Sequence, residues 1–505
     1  MADSTAPLYA AREPIFPRRV SGFFRTLKWW IMGVTLGIYY LLPWLRWDRG
    51  PNLPDQAVLA DLAGRRFFFL WIEIWPHEFY FVAGLLIMAG LGLFLFTSAL
   101  GRVWCGYACP QTVWTDLFLL VERWVEGDRN AQIRLLRADW DLKKVRLRLT
   151  KWTIWLLIAV ATGGAWVFYF TDAPELARDL VLFQAPHVAY ASIAILTGTT
   201  FLFGGFMREQ VCIYMCPWPR IQGAMMDEGT LTVGYRDWRG EPRGKKQRRA
   251  PADPAGTGAT PEAAYQPLQL EAQQPIRLKG DCIDCKACVN VCPMGIDIRD
   301  GQQMECITCA LCIDACDDMM RKLGKPRGLI DYLSLEDVPP PANSPEYETW
   351  KPKGLLQHVL RPRTVLYSFL WSAVGAGLIF ALFIRSEVEL TVSPVRNPTY
   401  VMQSDGSIRN IYDVRLRNKS GEDRLFHISL RSEETLRIAL QGTSMLSVTV
   451  PADTTFLQRV YVTARPQDVA AGQSATALTF WVEDLATQVR ASAQTIFNGK
   501  ENDDE

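Results

Sequence analysis

Two cysteine quartets with identical spacing constrain this chain more than any other feature. Each follows the pattern C-x-x-C-x-x-C-x-x-x-C; the quartets are Cys282, Cys285, Cys288 and Cys292, and Cys306, Cys309, Cys312 and Cys316. In this spacing a tight loop presents three thiolates to one [4Fe–4S] cluster, and the fourth cysteine points to the other cluster. Zinc also binds paired cysteines and is the alternative, but two complete quartets favour iron–sulfur clusters.

The crossed pattern assigns each cluster its ligands. The first cluster takes Cys282, Cys285, Cys288 and Cys316, and the second takes Cys306, Cys309, Cys312 and Cys292. Asp317 stands where bacterial ferredoxins carry proline, which predicts a looser turn without the loss of a ligand. Residues 276–335 are therefore predicted to form an α+β ferredoxin module with two clusters.

The other four cysteines form a second duplicated motif, C-x-x-x-C-P. Its copies are Cys105 with Cys109, and Cys212 with Cys216. The i, i+4 spacing predicts that both thiols of a pair share one helix face, and that the proline ends the helix in a turn. Four such thiols can bind a soft ion such as Cu(I), or exchange electrons with it. The alternative is that these small side chains only pack the helix ends.

Five apolar runs predict a bundle of transmembrane helices. The mean hydropathy of +0.02 is unremarkable only because these runs are averaged with polar segments. A bilayer span needs roughly 20 apolar residues. Four runs contain no charged residue and a shorter fifth run has aromatic residues at both edges; they are Phe79–Gly101, Trp152–Thr171, His187–Met207, Thr364–Ile384 and Trp29–Leu45.

The distribution of basic residues predicts the orientation of these spans. Gly101–Lys151 carries ten Lys and Arg, whereas Asp172–Pro186 carries only Arg178. Because cytoplasmic loops are enriched in basic residues, the cysteine-containing segments are assigned to the cytoplasm. Disulfides do not persist there, so metal or redox chemistry is expected. The predicted domains are a cytoplasmic N-terminus 1–28, four spans in 29–207, a cytoplasmic segment and flexible linker 208–275, the ferredoxin module 276–335, a linker 336–363, a fifth span 364–384 and an external domain 385–505.

The external domain shows the pattern of an all-β fold. Apolar residues alternate along short segments, among them Val388–Val392, Tyr412–Leu416 and Phe426–Leu430, with turn signals between them. About seven short strands in this length predict an immunoglobulin-like sandwich. The domain contains no cysteine and no acid/base or metal constellation.

Composition and missing motifs exclude several classes of function. The net charge of +1 argues against nucleic-acid binding. No G-x-G-x-x-G follows a predicted strand, and no C-x-x-C-H is present for attached haem. The chain therefore has the features of an electron carrier without an organic redox cofactor.

The sequence resembles the FixG/CcoG family, the bacterial cytochrome c oxidase accessory proteins. The matching parts are Arg102–Trp114, Cys212–Arg220, the two ferredoxin quartets and the cysteine-free sandwich, in the same order. Paired C-x-x-x-C-P motifs also occur in quinol-linked proteins of nitrate and nitrous oxide respiration, and the sandwich separates the families.

The resemblance implies a bacterial inner-membrane cupric reductase that supplies Cu(I) for maturation of a cbb-type haem–copper oxidase. Two [4Fe–4S] clusters would relay electrons from a quinol or a ferredoxin, and copper would be the substrate. Cys105, Cys109, Cys212 and Cys216 are the expected copper-reducing site. The implied partners are the lipid bilayer, a copper exporter or chaperone, and oxidase subunits.

Two other functions remain open at this point. One is a quinol-oxidising electron-transfer subunit of a respiratory chain. The other is a non-enzymatic assembly scaffold whose clusters are structural or sense redox state.

Overall fold

The computed structural model describes residues 14–49, 53–244, 280–340, 354, 357–358, 360–385, 388–419, 422–452 and 454–500. The chain divides into two compact units. One comprises Met1–Leu45, Val58–Phe69 and Glu73–Ala376, and the other comprises Arg46–Ala57, Leu70–Ile72 and Gly377–Glu505. Most of the predicted flexible linker in 208–275, much of the linker 336–363 and the first half of segment 1–28 lie outside the described residues.

Helices dominate the first unit up to the ferredoxin module. Their bounds are α1 Phe23–Leu41, α2 Tyr80–Leu100, α3 Val103–Tyr107, α4 Pro110–Glu126, α5 Arg129–Arg137, α6 Leu142–Val167, α7 Ala173–Val181, α8 His187–Thr200, a π-helical continuation Phe201–Met207, a π-helical turn Val211–Met215, α9 Trp218–Met225 and α10 Asp237–Gly240. An antiparallel hairpin of β1 Val58–Asp61 and β2 Arg66–Phe69 precedes α2, and β3 Ile72–Ile74 follows that hairpin.

Three described helices, not the predicted five, are long and apolar enough to cross a membrane: Tyr80–Leu100, His187–Met207 and Pro362–Phe383. The other two predicted spans do fall on helices, α1 and α6. However, α1 includes the buried Arg25 and Lys28, and the first turns of α6 are strongly basic. Their uncharged parts end with the helices at Leu41 and Val167, which leaves each shorter than the roughly 20 residues that a span requires.

The ferredoxin module is built from two short helices and a strand pair. Its elements are β4 Thr232–Tyr235, α11 Ala287–Val291, α12 Leu311–Lys322 and β5 Ile330–Leu333. Strands β4 and β5 pair in antiparallel register, with Val233 opposite Tyr332. The segment before the linker therefore contributes a strand to the module, which its assignment to a separate segment 208–275 did not anticipate.

The second unit contains the predicted immunoglobulin-like sandwich, preceded by α13 Pro362–Phe383. Its strands are β6 Val388–Pro394, β7 Val401–Met402, β8 Ile408–Asn418, β9 Arg424–Ser432, β10 Arg437–Leu440, β11 Ser447–Val450, β12 Thr455–Ala464, β13 Thr476–Asp484 and β14 Arg490–Phe497, with a short helix α14 Val469–Gly472. One sheet has the order β10-β12-β8-β6, with β7 beside β8, and the other has the order β11-β9-β13-β14.

Alternation of buried and exposed residues holds this sandwich together. On β8 every second residue from Ile408 to Asn418 is buried, and Tyr412 packs edge-on against Phe480 of β13. The described residues form nine strands rather than seven. The excess comes from short elements such as Val401–Met402, whose two residues carry no readable periodicity.

Candidate iron–sulfur and four-cysteine site

The two quartet loops have the same backbone conformation. Asp284 and Lys286 flank Cys285, Thr308 and Ala310 flank Cys309, and all four flanking residues have positive φ, between 53° and 58°. This region is uncommon for residues other than glycine. Successive amides in such turns form concave nests that bind anionic groups, including iron–sulfur centres. The backbone is therefore shaped for a cluster in both loops.

The fourth cysteine of each quartet lies beside the other loop. Cys316, on α12, interacts electrostatically with Cys282, Cys285 and Cys288. Cys292, which follows α11, interacts with Cys306 and Cys309. These are the two sets that the crossed ligand assignment requires, so the arrangement fits two [4Fe–4S] clusters. When bound, such clusters supply one-electron redox chemistry.

The expected loosening of the chain at Asp317 is not found. Helix α12 runs without interruption from Leu311 to Lys322, so Asp317 lies inside a helix rather than in a turn. Its Oδ1 accepts a hydrogen bond of 2.9 Å from the Gly328 amide. The carboxylate thus fixes the chain that leads into β5.

The thiols of the second set line a mostly apolar cavity. Cys292, Cys306, Cys309 and Cys312 face it together with apolar side chains that include Val233. Burial raises the pKa of Cys306 to about 11 and that of Cys292 to about 12. These groups are protonated thiols at neutral pH unless a metal displaces the proton.

A buried arginine accompanies the first set. Arg299 donates to Asp297 over 2.6 Å and to Asp284 over 2.7 Å. These hydrogen bonds, and one to Cys282, raise its pKa above the ordinary value despite burial. The first set therefore has a cation whose charge is already balanced by two carboxylates.

The two C-x-x-x-C-P motifs also share a backbone design. The helix before the first motif is followed by Gly101, with φ 61°, and the helix before the second is followed by Arg208, with φ 33°. Each of these positive-φ residues lies four positions before the first cysteine of its motif. For Arg208, with a full side chain, this conformation is strained, and such strain is concentrated at functional sites.

The two cysteines of a motif do not share one helix face. Cys105 lies in α3, whereas Cys109 is extended and precedes α4. Cys212 lies in the π-helical turn, and Cys216 is the extended residue that follows it. The reason is the proline after each second cysteine, because it disfavours the α conformation at the preceding residue. The second cysteine of each motif therefore lies outside the helix that contains the first.

The structure brings all four of these cysteines together. In each of the six possible pairs among Cys105, Cys109, Cys212 and Cys216, the thiols are close enough to interact electrostatically.

Hydrogen bonds join the two motifs. Cys105 Sγ donates to Gln222 Oε1 of α9 over 3.1 Å. Gln111 Nε2 of α4 donates to the Arg208 carbonyl over 3.2 Å. The helix that follows each motif therefore forms a hydrogen bond to the other motif or to the residue that precedes it.

Burial differs among the four thiols. Cys105 is buried, Cys109 and Cys212 are half-buried, and Cys216 is exposed. Burial raises the pKa of Cys105 to about 11 and that of Cys212 to about 12. Among the described residues, no three His, Cys, Asp or Glu side chains are close enough to hold a single metal ion.

The first motif is in contact with the loop of the second quartet. Cys105 and Cys212 pack in the same apolar cluster as Cys309. The Tyr107 hydroxyl donates to the Cys309 carbonyl over 3.1 Å. Arg102 donates to the Met304 carbonyl, just before the second quartet. The four-cysteine site and the second cluster site therefore adjoin through bonded and packed atoms.

Sequence reasoning did not single out Gly106, Gln222 or the role of Arg102. The available signals were a glycine beside Cys105 and an arginine three residues before it. Neither signal indicates a partner two hundred residues away in the chain.

Comparison with known proteins gives matches in three parts of the chain. Residues 207–335 match the family described as a 4Fe-4S dicluster domain, and residues 81–127 match a 4Fe-4S binding domain. Residues 378–500 match the family described as an IG-like fold at the C-terminal of FixG.

Full-length relatives are similar over nearly the whole chain. Protein RdxB of Cereibacter sphaeroides is 65% identical, over 99% of this chain and 98% of its own length. Protein RdxA of the same organism is 60% identical, over 91% of each chain. The nitrogen fixation protein FixG of Rhizobium meliloti is 51% identical, over 97% of this chain and 94% of its own length.

Among solved structures, a FixG-related protein from Vibrio parahaemolyticus matches 23% of this chain and 100% of its own, with a TM-score of 0.20 and 14% identity. The assignment of the chain to a family is based instead on the full-length relatives and on the three matched domains. The chain belongs to the FixG family and is an iron–sulfur electron-transfer protein of that family.

Proposed function

We propose that this protein reduces Cu(II) to Cu(I) for the assembly of a cbb-type cytochrome c oxidase. The observation that carries the proposal is the contact between the four-cysteine site and the second quartet, through Cys105, Tyr107 and Cys309. Electrons held at the quartets need no mobile carrier to reach these four sulfurs. Thiolate sulfur stabilises Cu(I), so it favours the reduced product.

The different burial of the four thiols indicates the direction of electron transfer, from the second quartet to an external acceptor. Cys105 lies on the side of the second quartet, and Cys216 is the exposed member. An external acceptor therefore meets the site at Cys216. Each Cu(II) takes one electron and leaves as Cu(I), with no bond to carbon, nitrogen or oxygen made or broken.

The membrane topology is part of this proposal. Two of the three candidate spans end at Leu100 and Met207, five residues before Cys105 and Cys212 respectively. A site at the ends of two such helices would lie at the bilayer surface. We assign it to the cytoplasmic side of the bacterial inner membrane on the basis of the basic loops. The sandwich would then be periplasmic and available to a copper chaperone or an oxidase subunit.

Anaerobic single-turnover kinetics test the proposal. Full-length protein reduced with dithionite and freed of excess reductant is mixed with Cu(II) and a Cu(I)-specific chelator. We expect Cu(I) to appear as the cluster absorbance recovers, and the rate to fall at least tenfold when Cys105 and Cys109 are both replaced by serine. The control variant is Asn130→Ser, at an exposed position of α5. It shows whether the preparation of a serine variant by itself changes the rate.

Two results would contradict the copper function. One is that the reduced wild-type clusters are not reoxidised by Cu(II). The other is that a variant without clusters still supports oxidase assembly in cells, as a scaffold would. If the double serine variant keeps full clusters and the wild-type rate, copper is reduced elsewhere on the protein.

A further inference from the structure

We propose that a cationic cavity beside the start of α1 binds the phosphate headgroup of an anionic phospholipid. The cavity is lined by Arg19, Arg25 and Arg123 together with Trp29 and Trp124. None of these residues belongs to the quartets or to the C-x-x-x-C-P motifs. The inference therefore does not depend on which molecule accepts electrons from the protein.

The size and the lining of the cavity suit a lipid headgroup. Its volume is about 470 Å³, within the roughly 300–1,000 Å³ that ligand sites commonly occupy. Ser21 and Thr26 add hydroxyl groups to the three guanidinium groups, and none of the described residues that line the cavity is acidic. A phosphate group in this cavity is therefore surrounded by hydrogen-bond donors and by no carboxylate.

Hydrogen bonds between the N-terminal segment and the α4–α5 region build the cavity. The Arg19 amide donates to Asp128 Oδ1 over 3.0 Å, just before α5. Arg123 Nη2 of α4 donates to the Pro17 carbonyl over 3.0 Å. These bonds fix the backbone at Arg19 and the side chain of Arg123, so the arginines belong to a built site rather than to a loose surface.

The cations at this cavity have few counter-ions. Arg25 is 6% exposed and shares the carboxylate of Asp116 with Lys28. Within the described parts of the chain, no carboxylate forms an ion pair with Arg19 or Arg123, and the buried Nε of Arg123 has no hydrogen-bond partner. Burial and the charge of Arg25 lower the pKa of Arg123, and the surrounding carboxylates do not offset this.

A bound phosphate would supply the negative charge that these cations need. Burial of a cation without a counter-ion is costly. Arginine is well suited to phosphate, because its planar guanidinium group donates two parallel hydrogen bonds to phosphate oxygens. Basic pockets beside membrane helices on the cytoplasmic side bind anionic lipid headgroups in this way.

An exposed apolar face of α1 favours lipid over a free anion as the source of the phosphate. Large apolar side chains recur on it at intervals of three or four residues, and all of them are exposed: Phe23, Leu27, Trp30, Val34, Ile38 and Leu41. At 1.5 Å per residue this face is about 27 Å long, close to the roughly 30 Å of a bilayer's hydrocarbon core. The charged Arg25 and Lys28 are buried on the other side of the helix. Acyl chains therefore cover this face.

Exposed tryptophans beside the cavity indicate the level of the headgroups. Trp124 lines the cavity and is 78% exposed, and Trp30 of the apolar face is 71% exposed. Tryptophan is enriched where the headgroups meet the acyl chains, because its ring is apolar and its N–H is polar. The cavity therefore lies at the depth at which a lipid phosphate is found.

The cavity adjoins the ferredoxin module. The amides of Phe24 and Arg25 donate to the Asp314 carboxylate over 3.3 Å and 2.7 Å. Asp314 lies on α12 between Cys312 and Cys316. A lipid held by Arg25 therefore stabilises the start of α1 in the position that contacts α12. Because a ligand of the folded state stabilises it, the bound lipid should also raise the melting temperature.

Lipid binding by the full-length protein in a neutral detergent tests the inference. Delipidated protein is titrated with phosphatidylglycerol in mixed micelles, and the lipids bound per chain are counted by native mass spectrometry. We expect one tightly bound phosphatidylglycerol in the wild type. Binding should be at least tenfold weaker in Arg19→Gln, whose side chain is exposed and therefore little needed for folding, and also in Arg123→Gln. Iron content is measured in each variant to verify that the clusters are intact.

The matched control is Arg137→Gln. It removes the same charge from an exposed position at the end of α5 and outside the cavity, so it should bind phosphatidylglycerol like the wild type. If it weakens binding as much as Arg19→Gln does, general surface charge rather than the cavity holds the lipid, and the inference is wrong.

Phosphatidylcholine and inorganic phosphate distinguish the sources of the phosphate group. The wild type should not retain phosphatidylcholine, whose headgroup has no net charge. Excess inorganic phosphate should not displace phosphatidylglycerol, because it lacks the acyl chains that contact α1. Equal retention of the two lipids would overturn the inference. Displacement of the lipid by inorganic phosphate would overturn it as well, since the cavity would then be a site for a free anion.

Discussion

Gly106 lies directly against the backbone of Cys309, the second cysteine of the second quartet. A β-carbon at Gly106 would stand 3.0 Å from the Cys309 α-carbon and 2.6 Å from the Ile307 carbonyl oxygen. Only a residue without a side chain allows this approach. The contact couples the cysteine motif and the cluster loop mechanically, and it places their sulfurs within one packed region.

Replacing Gly106 by alanine should therefore separate the two sites. The clash is with backbone atoms that cannot rotate away, so we expect a loss of about 1–3 kcal/mol in unfolding free energy. The rate of electron transfer from the quartets to the acceptor should decrease by a larger factor than the iron content. Thermal unfolding, iron analysis and stopped-flow reoxidation measure the three quantities.

Gly164→Ala is the matched control, because no atom lies within 4 Å of its β-carbon position in α6. It should be neutral or slightly stabilising, since alanine is the better helix former. If Gly106→Ala behaves like this control in all three measurements, the close contact does not couple the sites.

Removing the charge of Arg102 should lower reduction potentials. A nearby cation stabilises the more negative, reduced form of a cluster, and Arg102 is near Cys105 and Cys306. One unit charge at this range is worth on the order of 1–2 kcal/mol, which corresponds to several tens of millivolts. EPR-monitored titration of Arg102→Gln should show the shift at the second quartet.

The first quartet provides the internal reference for that titration. Arg299 rather than Arg102 is its buried cation, so its potential should stay within error in Arg102→Gln. Arg102→Lys should restore most of the shift. Equal shifts at both quartets would mean that the substitution acts through the fold and not through its charge.

Structural features that depend on residues close together in the chain were predictable from the sequence. Quartet spacing led to the ferredoxin module, and alternation from Tyr412 to Leu416 led to the sandwich, because both depend on residues close together in the chain. Leu478, Phe480 and Val482 alternate in the same way on β13, so the same local pattern describes that strand.

Features that depend on distant residues were not predictable. The contact of Gly106 with Cys309 and the bond from Cys105 to Gln222 join residues more than a hundred positions apart. The five-span prediction failed for α1 because helix bounds, not apolar runs, decide the length of a span. That helix begins at Phe23 and takes Arg25 and Lys28 into it, where Asp116 balances their charge.

The crossed ligand assignment makes opposite predictions for two cysteines. Cys316→Ser should damage the cluster held by Cys282, Cys285 and Cys288, while Cys292→Ser should damage the other. Serine is a poorer ligand, so partial loss of iron from one cluster is expected in each variant. EPR of the reduced variants, compared with Cys285→Ser as a marker of the first cluster, identifies the one affected. An uncrossed result would pair Cys292→Ser with Cys285→Ser.

Asp116 should make the stability of the first unit sensitive to acid. Burial opposes ionisation of this carboxyl, but Lys28 at 2.9 Å and Arg25 at 3.4 Å outweigh it and hold its pKa below the ordinary value. A depressed pKa contributes stability above the unfolded-state pKa, about 4, and this contribution is lost as pH falls through the folded value.

Asp116→Asn leaves two buried cations unpaired and should cost about 3–5 kcal/mol at pH 7. The melting temperature is measured between pH 3 and pH 7. It should decrease as the pH is lowered in the wild type and depend less on pH in Asp116→Asn. The control Asp139→Asn, at an exposed position, should behave like the wild type. Parallel curves for Asp116→Asn and the wild type would show that the ion pair does not set the acid limit.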